Sequence, residues 1–226
     1  MATRKTTSRT TKPKTATKTK AKAKPRTVAK KAVKRVAKAD RDVNHALAKH
    51  RKNPLVRAIG FLSEAADQPP LIAASLGTLA IGLASKRPDL ARGGARMLAS
   101  HLLATGAKLA IKHQIDRTRP SAALEGGEAK FQPGDEGGHD EKSFPSGHTA
   151  GAVAVALAAA HDIEGAGLPA ALGTAAVAAA QAPAGNHYLT DVVVGGAVGW
   201  ATEAIVSAVF DRWEPKVEAA IKEAVA

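Results

Sequence analysis

Three short blocks hold the residues best suited to chemistry, each at the edge of an apolar run. The first is Lys112-His-Gln-Ile-Asp-Arg-Thr-Arg119-Pro120. Lys112 and Arg119 stand seven residues apart, about two helical turns, so both project from one face. Two fixed cations side by side make an anion site, and an arginine can grip phosphate oxygens bidentately. The second block is Phe144-Pro145-Ser146-Gly147-His148. Ser146 is a good helix N-cap, and a helix start with a glycine offers free N–H groups to a phosphate beside His148. The third is His187-Tyr-Leu-Thr-Asp191, where a carboxylate one turn after a histidine can hold one ring nitrogen and leave the other as a nucleophile. Taken singly, each block has a plain structural meaning: a solvated helix end, a cap, a structural pair. Their occurrence together and in this order favours a phosphate site.

Six apolar runs must position these blocks: Leu55–Ala66, Leu71–Ser85, Met97–Ile111, Thr149–Ala160, Leu168–Ala182 and Val192–Phe210. Proline and glycine punctuate between them, at Gln68-Pro69-Pro70, Lys86-Arg87-Pro88, Gly93-Gly94, Glu164-Gly165 and Pro183. No strand-like alternation survives inside the runs, which predicts six helices. A polar, glycine-rich loop from Ser121 to Ser143 separates the third from the fourth. Most runs are shorter than the roughly 20 residues of a spanning helix and rich in alanine, so hydropathy alone divides evenly between a soluble bundle and a membrane protein. Loop charges favour the membrane. With the N-terminal arm cytoplasmic and six crossings, the second inside loop carries Lys86, Arg87, Arg92 and Arg96, while the outside turn Asp67–Pro70 carries no basic residue. The inside turn His161–Gly167 holds only acids and breaks the pattern.

The net charge of +13 belongs to one end of the chain. Residues 1–52 hold 19 of the 33 Lys and Arg against two acids, Asp40 and Asp42. Residues 3–26 are a Thr/Lys/Ala/Pro low-complexity run without an apolar face, expected to be disordered. From Val28 to about Lys52, Val and Ala recur among the cations as in a basic helix. The arm is suited to nucleic-acid phosphates or to anionic lipid headgroups. It has no apolar stretch of the kind a secretory signal needs. The absence of cysteine excludes disulfides, thiolate metal sites and thiol catalysis.

Lys-x6-Arg-Pro, then Pro-Ser-Gly-His, then His-x3-Asp resembles the three-part signature of the type 2 phosphatidic acid phosphatase superfamily, which includes acid phosphatases and vanadium haloperoxidases. The resemblance covers roughly residues 53–210. It implies a two-step phosphoryl transfer with no cofactor and no metal. His187 attacks phosphorus and becomes phosphohistidine, Asp191 orients and stabilises it, and His148 protonates the leaving oxygen and then activates water. Lys112, Arg119, Ser146 and the Gly147 N–H hold the phosphoryl oxygens. The family has Ser-Arg before the last histidine where this chain has Ala180-Gln181. Gln181 brings no charge to the phosphate subsite, and Arg117 is a candidate for the missing cation.

The expectation is therefore all-α: a transmembrane six-helix bundle over residues 53–211, preceded by a disordered to partly helical basic arm at 1–52. A surface amphipathic segment follows at 212–226. The expected function is that of a phosphatase acting on a lipid phosphate or polyprenyl diphosphate, multi-pass in a bacterial-type inner membrane, N-terminus cytoplasmic and active site extracytoplasmic. The alternatives are a soluble acid phosphatase or haloperoxidase on the same scaffold, and a nucleic-acid-binding protein acting through the arm. His101 and His161 are read as packing or turn residues, and His113 as facing away. His139 is placed in a mobile acidic loop with Asp135, Glu136, Asp140 and Glu141. Glu203, costly in lipid, is expected to face a helix neighbour or a cavity.

Overall fold

A computed structural model describes residues 25–225. Eight helices follow in order: α1 Pro25–Ala48, α2 Pro54–Ser63, α3 Gln68–Ala84, α4 Pro88–Lys112, α5 Pro120–Leu124, α6 Gly147–Asp162, α7 Gly167–Ala184 and α8 Leu189–Val225. The six apolar runs became α2, α3, α4, α6, α7 and α8. The low-complexity run 3–26 falls almost wholly outside the described residues. The basic half of the arm is α1, a helix of 24 residues. The polar loop carries α5 and one antiparallel ribbon, β1 Ile115–Arg117 with β2 Phe131–Pro133, paired so that Asp116 faces Gln132.

Local chemistry sets the helix boundaries. Pro88 and Pro120 open α4 and α5, where a missing N–H costs nothing. Gly185 closes α7 in the left-handed region at φ 80°. The segment 212–226, expected to stand apart, is continuous with α8 as far as Val225. Pro215 removes only the ladder bond to Asp211, which is exposed to other partners.

α4, α6 and α8 pack on one another at the centre, with α3 against α4, α7 against α6 and α2 against α7. Alanine fills the tightest positions, including Ala91, Ala104, Ala150, Ala154 and Ala158. Gly195 and Gly199, one turn apart on α8, bring it against α6. A Cβ at either would strike the carbonyl oxygen of Ser146 or Ala150. That close crossing seats the start of α8 beside the start of α6, and the Ser146 N–H donates to the Asp191 carbonyl at 3.0 Å.

Large apolar side chains lie outside: Leu76, Ile81, Leu102, Leu109, Leu157, Val193, Trp200, Ile205 and Val209 are all exposed. Polar ones lie inside, among them Ser75, Arg96, Ser100, His101, Asp162 and Thr202. Glu203 is buried, its carboxylate accepting from Ser207 Oγ. One described helix, over Leu189–Trp213, is long and apolar enough to cross a membrane, with mean hydropathy 1.7.

One expectation needs correcting. Six crossings would put the arm and the chemical blocks at opposite ends of the bundle. α2 has ten residues, about 15 Å, and does not run from end to end. The Arg51 guanidinium before it packs against Gly185, and Asp67 after it lies 3.0 Å from His148. Asp40 of α1 bonds Thr190 at the start of α8. The arm helix and all three blocks therefore sit at the same end, and a plane drawn across the bundle leaves them on one side.

Candidate active site

The C-terminal end of α4 and the N-terminal ends of α6 and α8 converge on a cavity of about 360 Å³. Lys112, Arg119, Gly147, His148 and His187 border it, so the three blocks are brought together. Ser146 and Asp191 stand behind its wall. Ser146 is the N-cap of α6, its oxygen accepting from the Thr149 N–H at 3.4 Å. Asp191 accepts from the Tyr188 N–H at 2.8 Å and closes the first turn of α8.

His187 is buried, and its Nδ1 lies 2.7 Å from the Ser143 carbonyl oxygen. A carbonyl only accepts, so Nδ1 carries the proton and Nε2 keeps its lone pair. The Asp191 carboxylate stands 3.8 Å from the same Nδ1. It acts on the ring through charge rather than a direct hydrogen bond. Burial drives the His187 ring below the ordinary histidine range against the pull of Asp191, so the ring is neutral at neutral pH. The rings of His148 and His187 are 6.5 Å apart between centroids, edge to face.

The cations are held by the polar loop, which is latched rather than loose. Lys112 Nζ donates to the Lys142 carbonyl, and Lys142 Nζ donates to the Lys112 carbonyl at 2.9 Å and pairs with Asp116 at 2.6 Å. Arg119 donates to the carbonyls of His139 and Asn186, both at 3.1 Å.

Three expected ligands do not border the cavity. Ser146 is fully buried behind the wall, its hydroxyl turned to Thr149 as the cap of α6 rather than to the cavity. Arg117 is buried on β1 with its guanidinium tied to Asp191 and Asp40, which rules it out as the spare phosphate cation. Gln181 is fully buried. Its Nε2 donates to the Val177 carbonyl at 3.1 Å, and its main-chain carbonyl receives the N–H groups of Asn186 and His187 at 3.1 and 3.2 Å. Gln181 thus shapes the turn that delivers His187.

Other residues border the cavity that the sequence reading assigned elsewhere. Lys108, one turn before Lys112 on the same helix face, lies against Gly147. His101 is no ordinary packing residue: it borders the cavity with both ring nitrogens lacking a hydrogen-bond partner among the described residues. His139 reaches the rim beside Arg119. Asp67 Oδ1 is 3.0 Å from His148 Nε2. The one legible signal was the Lys108–Lys112 spacing of one turn. The cavity is rich in cations and open to an anion. A second cavity of about 490 Å³, lined by Leu71, Met97, Val155 and Val177, is almost wholly apolar and shares Ala66 with the first.

Residues 93–215 match the PAP2 superfamily, a span that holds all three blocks. Among curated proteins and solved structures, none matches the chain.

Proposed function

The chain belongs to the PAP2 superfamily, and from that premise we propose that it hydrolyses a lipid phosphate or polyprenyl diphosphate through a phosphohistidine on His187. The observation that carries this reading is the His187 ring, proton fixed on Nδ1 by the Ser143 carbonyl, on a cavity walled by Lys112 and Arg119. Nε2 attacks phosphorus as the ester oxygen leaves. His148 gives that oxygen a proton, then takes one from the water that cleaves the phosphohistidine. Asp67 Oδ1, 3.0 Å from His148 Nε2, holds that ring at the cavity. Asp191 stabilises the positive ring of the intermediate across 3.8 Å. The phosphoryl oxygens are held by Lys112, Arg119 and the helix start at Gly147, electrostatic stabilisation by fixed charges. Lys108 supplies the third cation, in place of the charge that Gln181 lacks.

The apolar cavity supports a hydrocarbon tail on the substrate, since Ala66 lines both it and the phosphate cavity. The apolar exterior and polar interior support a membrane position for the bundle, with α3, α4, α6, α7 and α8 as the crossing elements. Lys34, Arg35, Lys38 and Arg41 of α1 are exposed at the cavity's end, which supports contact with anionic headgroups there.

The test is phosphate release by detergent-purified protein from phosphatidate, phosphatidylglycerol phosphate, a polyprenyl diphosphate and a soluble aryl phosphate. A lipid turned over at least tenfold more efficiently than the aryl phosphate supports the reading. Equal turnover of both favours the soluble-type alternative, and no release from any ester overturns phosphatase function.

A further inference from the structure

α1 carries two acids with different surroundings. Asp42 is exposed, 3.8 Å from Lys38 one turn back. Asp40 is 4% exposed, although α1 is otherwise a basic, largely exposed helix. A buried carboxylate is costly unless paired and hydrogen-bonded, and Asp40 is both. Its Oδ2 lies 2.6 Å from Arg117 Nη2 and accepts from the Thr190 hydroxyl. Its Oδ1 accepts from the Thr190 N–H at 3.3 Å. Arg117 Nη1 in turn donates to Asp191 and, at 2.8 Å, to Thr190 Oγ1. The guanidinium is boxed by Tyr188 and Phe131, whose ring centroids lie 4.1 and 4.7 Å away. A continuous line of charge runs from the arm helix to the histidine: Asp40, Arg117, Asp191, His187.

We propose that Asp40 is a positioning residue of the catalytic centre, through which the arm helix sets the charge and aim of Asp191 behind His187. It rests on the reading of His187 as nucleophile. One guanidinium shared by two carboxylates leaves the cluster with a net negative charge beside the ring. Removing Asp40 leaves Arg117 and Asp191 to neutralise each other, so His187 loses support for the positive charge it gains on phosphorylation. It also lets Arg117 draw Asp191 toward β1. The other groups on this cavity are Lys108 and Lys112 of α4, Arg119, His139 of the loop, His148 and His101, with Asp67 opposite. The side chain of Asp40 instead meets Arg117 and Thr190, so the substitution acts on the line of charge.

The experiment compares Asp40→Asn with Asp42→Asn, the same charge change on the exposed side of the same helix, in the full chain. In Asp40→Asn, kcat falls about tenfold or more and KM stays within threefold. The acid limb of the pH profile moves down by about half to one unit, because a less basic His187 deprotonates earlier. Asp40→Glu restores part of kcat, and Asp42→Asn matches the parent. Vanadate inhibition within threefold of the parent shows that the cavity is still folded. Histidine-labelled NMR titration of His187 reads the same downward shift without any turnover. A protein that releases no phosphate from any ester thus fails as a phosphatase while this coupling is still measured. A folded Asp40→Asn with unchanged kcat and unchanged His187 titration overturns the proposal, as does an equal effect from Asp42→Asn. Loss of stability alone, with both readouts at parent values, overturns it too.

Discussion

The two ends of the central helices hold similar residues put to opposite uses. On α4, Arg96 and Lys112 stand about 24 Å apart along the axis. At the Arg96 end, the arginines and carboxylates answer one another. Asp162 binds Arg96 at 2.7 Å and Arg92 at 2.8 Å, Arg96 also reaches Ser207 at 2.7 Å and Asp211 at 3.2 Å, and Phe210 covers the guanidinium. At the Lys112 end, Lys108, Lys112 and Arg119 border an open cavity, with the His101 ring nitrogens lacking hydrogen-bond partners among the described residues. The first cluster is internally balanced and closes the bundle. The second carries excess positive charge toward empty space, an arrangement that an anion completes. Residue type does not distinguish the two; satisfaction does.

Breaking each end separates the two roles. His187→Ala should lower phosphate release by about a thousandfold or more, as loss of a nucleophile does, with the thermal midpoint near the parent value. Asp162→Ala should do the reverse. It takes the shared buried carboxylate from Arg92 and leaves Arg96 with only the exposed Asp211, and should cost about 3–5 kcal/mol of stability, measured by denaturant unfolding, while kcat per folded molecule is retained. A loss of kcat in folded Asp162→Ala would mean that the two ends are coupled.

Smaller changes sharpen the contrast. Lys108→Met should raise KM and weaken vanadate inhibition about tenfold or more, the worth of one charge-assisted contact. An unchanged vanadate constant would remove Lys108 from the phosphate site. Lys112→Met should weaken vanadate inhibition in the same direction.

Much of this was written in the chain. Each of the six helices could be read from an apolar run and the proline or glycine that ends it, because both signals are local. The blocks at Lys112–Arg119, Ser146–His148 and His187–Asp191 were legible as candidates for the same reason: spacing within one helix or turn fixes which side chains share a face. The family resemblance added the roles of the histidines.

Other features came only from tertiary contacts. Ser143 orients His187 through a backbone carbonyl, which no residue type advertises. Arg117 looked like a spare cation until two carboxylates, one of them 77 residues away, were found to hold it. Gln181 is spent on a turn. His101 and Lys108 were hidden in an apolar run, and only the arrival of α6 at Gly147 turned that helix face into a cavity wall. The placement of the arm was the largest departure. Charge counting along the chain assumed that the first apolar run crosses the bundle, but at ten residues α2 is too short to do so. It turns back, and Asp40 meets Thr190 across 150 residues of sequence. Periodicity dictates what a segment is, because neighbouring residues share one backbone geometry. Which segments meet depends on how the closely packed helices fit, and no spacing along the chain carries that information.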